Sequence, residues 1–226
     1  MARPLLALLH LCDSLFPIGG FGYSDGLEAA TAAGLVETPT DLQAWLDVCL
    51  DQAVGRMDGP AVLRAWSAFH RRDWETLSEL DEELTAMRPS SATRRSSRAM
   101  GIRLATTWTG LYPDRPLDHL LDLARGQWLG PALPIAFGCA CASGGVGKLD
   151  AGAAFAYTRL ASTTSAALRL MRIGQTDAHA RLAKTLQRVP IVVEAMTTRT
   201  RPESFTPAMD VSAMTQQYLH SRLFRS

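Results

Sequence analysis

Apolar side chains recur every three or four residues along most of the chain, which is the spacing of one face of an α-helix. The pattern is clearest after Thr38, where Pro39 and Asp41 predict the first turn of a helix. The apolar positions that follow are Leu42, Trp45, Leu46, Cys49 and Ala53. No segment alternates apolar and polar residues for long enough to indicate a strand. The sequence therefore predicts an all-α fold, a single-domain bundle of about eight to ten helices without significant sheet.

Short polar side chains predict where further helices begin, because their oxygens accept hydrogen bonds from the first free backbone N–H groups. The predicted cap residues are Ser24, Asp58, Asp73 and Asp150. The segment from Gln175 to Arg201 has helical periodicity but contains Pro190, which lacks a backbone N–H. We therefore expect a kink or break near Val189.

A stretch of 22 residues, 126–147, carries no formal charge and is long enough to raise the question of a membrane span. Its apolar members include four alanines, and it contains two prolines and several glycines, so its insertion into a bilayer would be weak. We interpret it as a buried helix whose small residues permit close helix packing. The glycines before Lys148 resemble a phosphate-binding loop, but Ala142 and Leu149 replace its first glycine and its hydroxyl. Nucleotide hydrolysis by this chain is not expected.

Composition narrows the possible functions. The 226 residues include 23 basic and 22 acidic side chains, a net charge of +1, which gives no global attraction for nucleic acid or an anionic membrane. The four cysteines and five histidines lack metal-ligand spacing, so no metal site is expected. The start of the chain has no pattern of a secretory signal, and we expect a cytoplasmic location.

Two blocks of opposite charge follow one another. Acidic residues dominate from Asp73 to Glu83, and arginines dominate from Arg88 to Arg103. Solvated faces of consecutive helices are the ordinary explanation. The arginines could instead hold a carboxylate-rich partner or a phosphate backbone. No aromatic residues lie between them, which disfavours single-stranded nucleic acid.

The segment from Phe16 to Glu28 is too rich in glycine for an ordinary helix or strand. Pro17 restricts one φ angle, while the neighbouring glycines permit positive φ or close backbone approach. Its aromatic side chains either pack into the core at a connection between helices or form a surface that contacts another molecule. Both interpretations remain open from the residues alone.

This segment resembles the N-terminal signature of the UreF family of urease accessory proteins, L-P-(I/V)-G-(A/G)-F-(S/G)-(Y/H)-S-x-G-L-E. The matching residues are Pro17, Gly19, Phe21, Tyr23, Ser24, Gly26, Leu27 and Glu28. Residues 166–175 are similar to the family's A-A-V-R-L-x-P-L-G-Q, and residues 221–226 to its terminal R-L-F-x-S. Gln216 and Gln217 stand where the family has His-Glu, and Arg172 stands where it has Pro.

The resemblance implies a non-catalytic accessory protein. UreF-like proteins are all-helical, form homodimers, dock onto UreD (also called UreH) and recruit the GTPase UreG for nickel delivery to apo-urease. It follows that nickel and GTP would be handled by partners, with no cofactor bound directly by this chain. Nucleic acid and membrane are not expected partners.

Carried over onto this sequence, the resemblance implies partner-binding residues in the glycine-rich segment, at a later helix junction and in the tail. They are Pro17, Gly19, Phe21, Tyr23, Ser24, Gly26, Glu28, Arg169, Gly174, Gln175, Arg222, Leu223, Phe224, Arg225 and Ser226. Arg222 or Arg225 could also act on the GTPase as an arginine finger.

Several alternatives stay open. Residues 1–226 are expected to form one domain in which 202–226 docks either on the core or on a partner. A different class of function is a small-molecule-binding protein or enzyme with the Gly19–Tyr23 turn as a pocket wall, although the chain lacks a clear acid, base or nucleophile constellation. A nucleic-acid-binding regulator using Arg88 to Arg103 is a third possibility.

Overall fold

The computed structural model describes residues 4–224, except for the side chain of Phe21, and no strand occurs among these residues. The predicted all-α class is confirmed, and the described residues form twelve α-helices where about eight to ten were expected. The helices are α1 (Pro4–Leu11), α2 (Leu27–Ala32), α3 (Pro39–Val48), α4 (Gly59–Arg71), α5 (Trp74–Ala86), α6 (Ser91–Leu111), α7 (Arg115–Arg125), α8 (Leu133–Ser143), α9 (Lys148–Leu170), α10 (Gln175–Leu186), α11 (Val189–Met196) and α12 (Pro207–Thr215). Short 3₁₀ turns lie at Gly20–Gly22 and Gln216–Tyr218.

Helix α8 lies at the centre, with α4, α6 and α9 packed around it. It comes from the uncharged stretch, and nearly all its residues are buried, which confirms the prediction of a buried helix. Small residues allow the close packing: a Cβ at Gly138 would lie 2.5 Å from the carbonyl oxygen of Val62 in α4. Among residues 4–224, no helix combines the length and apolar character that a membrane crossing requires.

Helix α4 begins at Gly59, next to Asp58 as predicted, but the prediction that Asp58 caps a new helix is wrong, because Asp58 is itself helical and its side chain makes no capping bond. The segment Cys49–Asp58 is a π-helix that joins α3 to α4 without a break. Pro60 has no N–H to offer the carbonyl of Arg56, and that carbonyl instead accepts a hydrogen bond of 2.9 Å from the backbone N–H of Glu203. This bond ties the segment before α12 to the π-helix, close to the proline.

Two other predicted caps are also displaced by a neighbouring glycine. Helix α2 begins at Leu27 after Gly26 rather than at Asp25, although the hydroxyl of Ser24 still accepts a hydrogen bond of 3.4 Å from the backbone N–H of Glu28. Helix α9 begins at Lys148 after Gly147, with Asp150 inside its first turn. Gly26 has φ 87°, a conformation that residues with a Cβ rarely adopt.

Three other helix boundaries that the sequence predicts are confirmed. Thr38 and Asp41 form a reciprocal capping box, and Asp73 caps α5 through the N–H of Thr76. The break near Val189 is confirmed, since α10 ends at Leu186 and α11 begins at Val189.

The close contact between α8 and α4 can be tested with Gly138→Ala. We expect this substitution to lower the free energy of unfolding by about 1–3 kcal/mol despite alanine's better helix propensity, because the new methyl meets backbone that cannot move cheaply. Gly110→Ala in α6 is the control, since a Cβ there meets nothing within 4 Å. It should stabilise by about 0.5–1 kcal/mol in urea unfolding. Equal effects of the two variants would contradict the packing account.

Candidate functional site

The glycine-rich turn before α2 is held in place by α6. The backbone N–H of Gly22 donates to the carbonyl of Gly19, which has φ 78°. Arg103 of α6 donates from its guanidinium to the carbonyl of Ile18 at 3.1 Å. The positive φ of Gly19 favours glycine at this position, and a Cβ there would displace the guanidinium of Arg103 from its present place. Pro17 and Gly19 are exposed at the tip of the turn.

Glu28, in the first turn of α2, is a buried carboxylate with only 5% of its surface exposed. Its oxygens accept hydrogen bonds from the backbone N–H groups of Leu223 at 2.5 Å and Phe224 at 3.3 Å. The side-chain amide of Gln216 donates a further bond of 3.0 Å. A carboxylate buried in this way needs such donors to offset its lost hydration. All three donors come from the end of the chain, so Glu28 attaches the tail to α2.

Gln216 completes a closed polar network under the tail. Its amide oxygen accepts a bond of 3.2 Å from the hydroxyl of Ser24, while its amide nitrogen donates to Glu28. Only 1% of Gln216 is exposed. Gln217, in contrast, is exposed and donates to the carbonyl of Met214. The two glutamines that replace the family's His-Glu pair thus have different environments, one internal and one at the surface.

Helix α12 lies directly on Gly26. A Cβ at this position would lie 2.8 Å from the backbone nitrogen of Ala213 and 3.0 Å from the carbonyl oxygen of Met209. Gly26 is therefore required by close backbone approach as well as by its positive φ. Of the two alternatives for the C-terminal segment, docking on the core describes the chain as far as Phe224. Arg222 and Leu223 remain exposed.

Phe224 is buried beside α9, and the guanidinium of Arg169 lies over its ring at 4.2 Å. This cation–π contact joins two segments that the resemblance had implied separately. Phe224 and Arg169 also border a cleft of about 360 Å³ between the turn, the end of α1 and α9. Most of its lining is apolar, and most of the hydroxyl groups come from α9, with Ser14 and Tyr23 as the others. Other lining residues include Leu9, Phe16, Tyr157 and Ser162.

A partly buried ion pair fixes the turn to α9. Asp25, which has φ 50°, accepts a hydrogen bond of 2.6 Å from Arg159. Burial by itself lowers the pKa of Arg159, but the attraction of Asp25 and other nearby acidic groups outweighs it and raises that pKa. The guanidinium is therefore a permanent charge, and removing its acidic partner would leave it unpaired inside the protein.

Cys12 lies at the edge of the cleft and is half-buried. Burial raises the pKa of its thiol to about 11, so the thiol is protonated at neutral pH and is a weak nucleophile. Cys139 and Cys141 are buried free thiols, in agreement with the sequence interpretation. Within residues 4–224, histidine, cysteine and carboxylate side chains form no cluster of three or more that could hold a metal ion.

The structure places the predicted partner-binding residues in different environments. Those exposed are Pro17, Gly19, Arg169, Gly174, Gln175, Arg222 and Leu223. Tyr23 is half-buried, and Ser24, Gly26, Glu28 and Phe224 are buried within the chain's own fold. The side chain of Phe21 and the residues Arg225 and Ser226 lie outside the described part.

Gly174 and Gln175 mark the junction of α9 and α10, as N-cap and first residue of α10. Sequence reasoning missed Arg103, Arg159 and Gln216, which hold the turn and tail. A polar glutamine in a terminal segment carries no signal of burial, and Arg103 belonged to a block of arginines typical of a solvated helix face. Arg159 is an isolated charge within α9, and its partner Asp25 is far away in the sequence.

Comparison with known proteins supports the resemblance. A family model described as UreF matches residues 36–186. The chain is 33% identical over 229 residues to a protein of Methylibium petroleiphilum named urease accessory protein UreF, with 100% of this chain and 95% of that protein covered. Proteins of the same name from Azoarcus sp. and Polaromonas sp. are each 29% identical, with 96% of each covered.

The fold and these matches define an all-α urease accessory protein. The chain belongs to the UreF family. The matched model leaves out the glycine-rich turn and the tail, but the alignment with the Methylibium petroleiphilum protein extends over the whole chain and includes both.

The attachment of the tail predicts the effect of Glu28→Ala. We expect it to lower the free energy of unfolding by about 2–4 kcal/mol, because the donors in the tail lose their acceptor. Trypsin should also cut after Arg222 faster than in the wild type, as followed by mass spectrometry. Glu79→Ala, at an exposed position of α5, is the control and should change neither quantity. An unchanged cutting rate in Glu28→Ala would show that Glu28 does not hold the tail.

The raised pKa of Cys12 predicts the pH dependence of its alkylation. In the folded chain the other three cysteines are buried. The rate of reaction with iodoacetamide should therefore rise about tenfold per pH unit until the pH approaches the pKa of about 11. A Cys12→Ala variant corrects for slow labelling elsewhere. A rate that levels off near pH 8.5, the ordinary range of a thiol, would be inconsistent with burial of this group.

Proposed function

We propose that this chain is a non-catalytic scaffold of urease maturation, which binds UreD and recruits the GTPase UreG in a complex that delivers nickel to apo-urease. Membership of the UreF family supports the class of function. The main structural support for the proposal is the cleft of about 360 Å³ at which the turn, α9 and the tail meet. Nickel and GTP belong to the partners in this account, and the chain supplies the surface on which they assemble.

The surroundings of the cleft favour a protein partner. Leu9 lines it with 59% of its surface exposed, and Leu15, between α1 and the turn, is 86% exposed. Tyr157 and Leu223 add exposed apolar surface on the α9 and tail sides. Large apolar side chains grouped around a concavity are typical of interfaces whose binding energy is concentrated in a few residues.

In this proposal the buried residues of the family signature hold the tail in the position at which a partner binds it. Glu28 and Gln216 fix the backbone of the tail, which leaves Arg222 and Leu223 facing outward. A rigid tail loses less conformational entropy when a partner binds it than a free one would. Regulation of the GTPase is part of the same proposal, with Arg222 or Arg225 as an arginine finger. Homodimerisation and a cytoplasmic location complete it.

A second candidate function is supported by the same cleft. Gly20 and Tyr23 lie in its wall, as expected for a small-molecule pocket built on the turn. Its volume also falls within the usual range of ligand-binding pockets, roughly 300–1,000 Å³. A small ligand would compete with the partner protein for this site, and the two candidates are distinguished by whether a protein or a small molecule protects Cys12 from alkylation.

The scaffold proposal can be tested by light scattering coupled to size-exclusion chromatography. The chain would be mixed with the UreD and UreG homologues of the same organism, with and without GTP. We expect a complex built on a dimer of the wild-type chain. Leu9→Asp should weaken its formation at least tenfold, because a charge on the cleft rim must be desolvated on binding.

Ile191→Asp is the matched control, since Ile191 is an exposed residue of α11 that does not line the cleft. It should form the complex as the wild type does. If the wild-type chain associates with neither homologue in any nucleotide condition, the maturation role must be abandoned. If Leu9→Asp and Ile191→Asp behave alike, the cleft is not the contact.

A further inference from the structure

Helix α6 carries charge of one sign only. Its 21 residues include four arginines and no aspartate or glutamate. Arg94 donates hydrogen bonds to the backbone carbonyls of Arg88 and Pro89, which lie just before α6, so its guanidinium has partners within the chain. Arg95 is exposed and has no hydrogen bond or ion pair to any residue in the range 4–224. Arg98 forms an ion pair of 3.7 Å with the buried carboxylate of Asp81, so the positive charge of this face is balanced in part. The remaining positive charge is not explained by contacts within residues 4–224.

The two other arginines define the sides of this face. Arg98 donates to the carbonyl of Gly130 at 3.0 Å, and Arg103 donates to the carbonyl of Ile18 at 3.1 Å. Residues five apart lie about 140° apart around a helix. The loop 126–132 and the glycine-rich turn therefore flank α6 on different sides. The exposed residues between them are Arg95, Ala99, Ile102 and Thr106.

The loop 126–132 is held rigidly by side chains. Asp81 accepts hydrogen bonds from the backbone N–H groups of Gly130 at 3.0 Å and Ala132 at 2.7 Å. Ser78 donates to the carbonyl of Trp128 at 2.7 Å. The same loop exposes 74% of Trp128 to solvent. An aromatic side chain on a fixed backbone is a favourable interface anchor, because little conformational entropy is lost when it is covered.

We propose that the outer face of α6, together with Trp128, is a second docking surface, and that its occupant is a protein segment rich in carboxylates. Charge complementarity favours an acidic occupant, since Arg95 has no partner of its own and half of the Arg98 side chain is exposed. A protein fits better than nucleic acid, because Ala99 and Ile102 lie among the arginines and the chain as a whole has a net charge of only +1.

This inference rests on the proposed function, because its occupant is one of the two proteins that the scaffold assembles. It adds a surface distinct from the cleft and assigns the chemistry of the partner that binds there. Arg103 joins the two surfaces, since the residue that borders the α6 face also holds the turn beside the cleft.

The test measures the affinity of the full chain for the purified UreD and UreG homologues separately, at about 0.1 M and 0.5 M salt. Arg95→Glu should weaken the binding of one homologue at least tenfold at the lower salt, and the loss should shrink at the higher salt as the charges are screened. Trp128→Ala should weaken the same homologue at least tenfold at both salt concentrations. Both side chains are exposed, so the fold should be retained in each variant.

Lys184→Glu is the matched control, because it makes the same change of charge at an exposed position of α10. Binding of both homologues to all variants with wild-type affinity would overturn the second surface while leaving the scaffold proposal intact. Wild-type chain that binds neither homologue would overturn both. Salt-dependent binding of a DNA duplex that Arg95→Glu abolishes, without any effect on either homologue, would assign the face to nucleic acid instead.

Discussion

The structure depends on a buried carboxylate that cannot be satisfied by its own helix. Glu28 lies in the first turn of α2, and its hydrogen-bond donors are Gln216, Leu223 and Phe224 at the other end of the chain. Without them, a charged group would be buried unpaired, which costs several kcal/mol. The tail is therefore part of the core as far as Phe224. The cleft exists in its present form because Phe224 closes one of its sides.

The contacts of the tail give several residues of the family signature a structural role within this chain. Resemblance had implied that Ser24, Gly26 and Glu28 bind a partner, yet these residues hold α12 and the tail against the chain itself. Exposed residues of the same signature, Pro17 and Gly19, lie at the tip of a turn fixed by Arg103. The signature thus contains buried residues that hold the fold together and exposed residues at the tip of the turn. A partner that contacts the exposed tip would also contact surfaces whose position depends on the buried residues of the signature.

Local signals predicted much of the fold. Thr38, Asp73 and Pro190 act through their immediate neighbours, so their effects on helix boundaries followed from the sequence. The cap predicted at Asp58 failed because the segment Cys49–Asp58 is already a π-helix that continues into α4. The candidate site was less predictable. Resemblance found the segments that compose it, but the pairing of Glu28 with Gln216 spans 188 positions and leaves no local signal.

The central claim, that Glu28 attaches the tail to α2, is tested most directly by a double-mutant cycle of Glu28→Ala and Gln216→Ala in urea unfolding. The coupling energy isolates the interaction between the two side chains from the separate cost of each truncation. We expect a favourable coupling of about 1–3 kcal/mol, as for contacting residues in one buried network. A coupling indistinguishable from zero would mean that the two side chains do not interact in the folded protein, and the account of the polar network between α2 and the tail would be wrong.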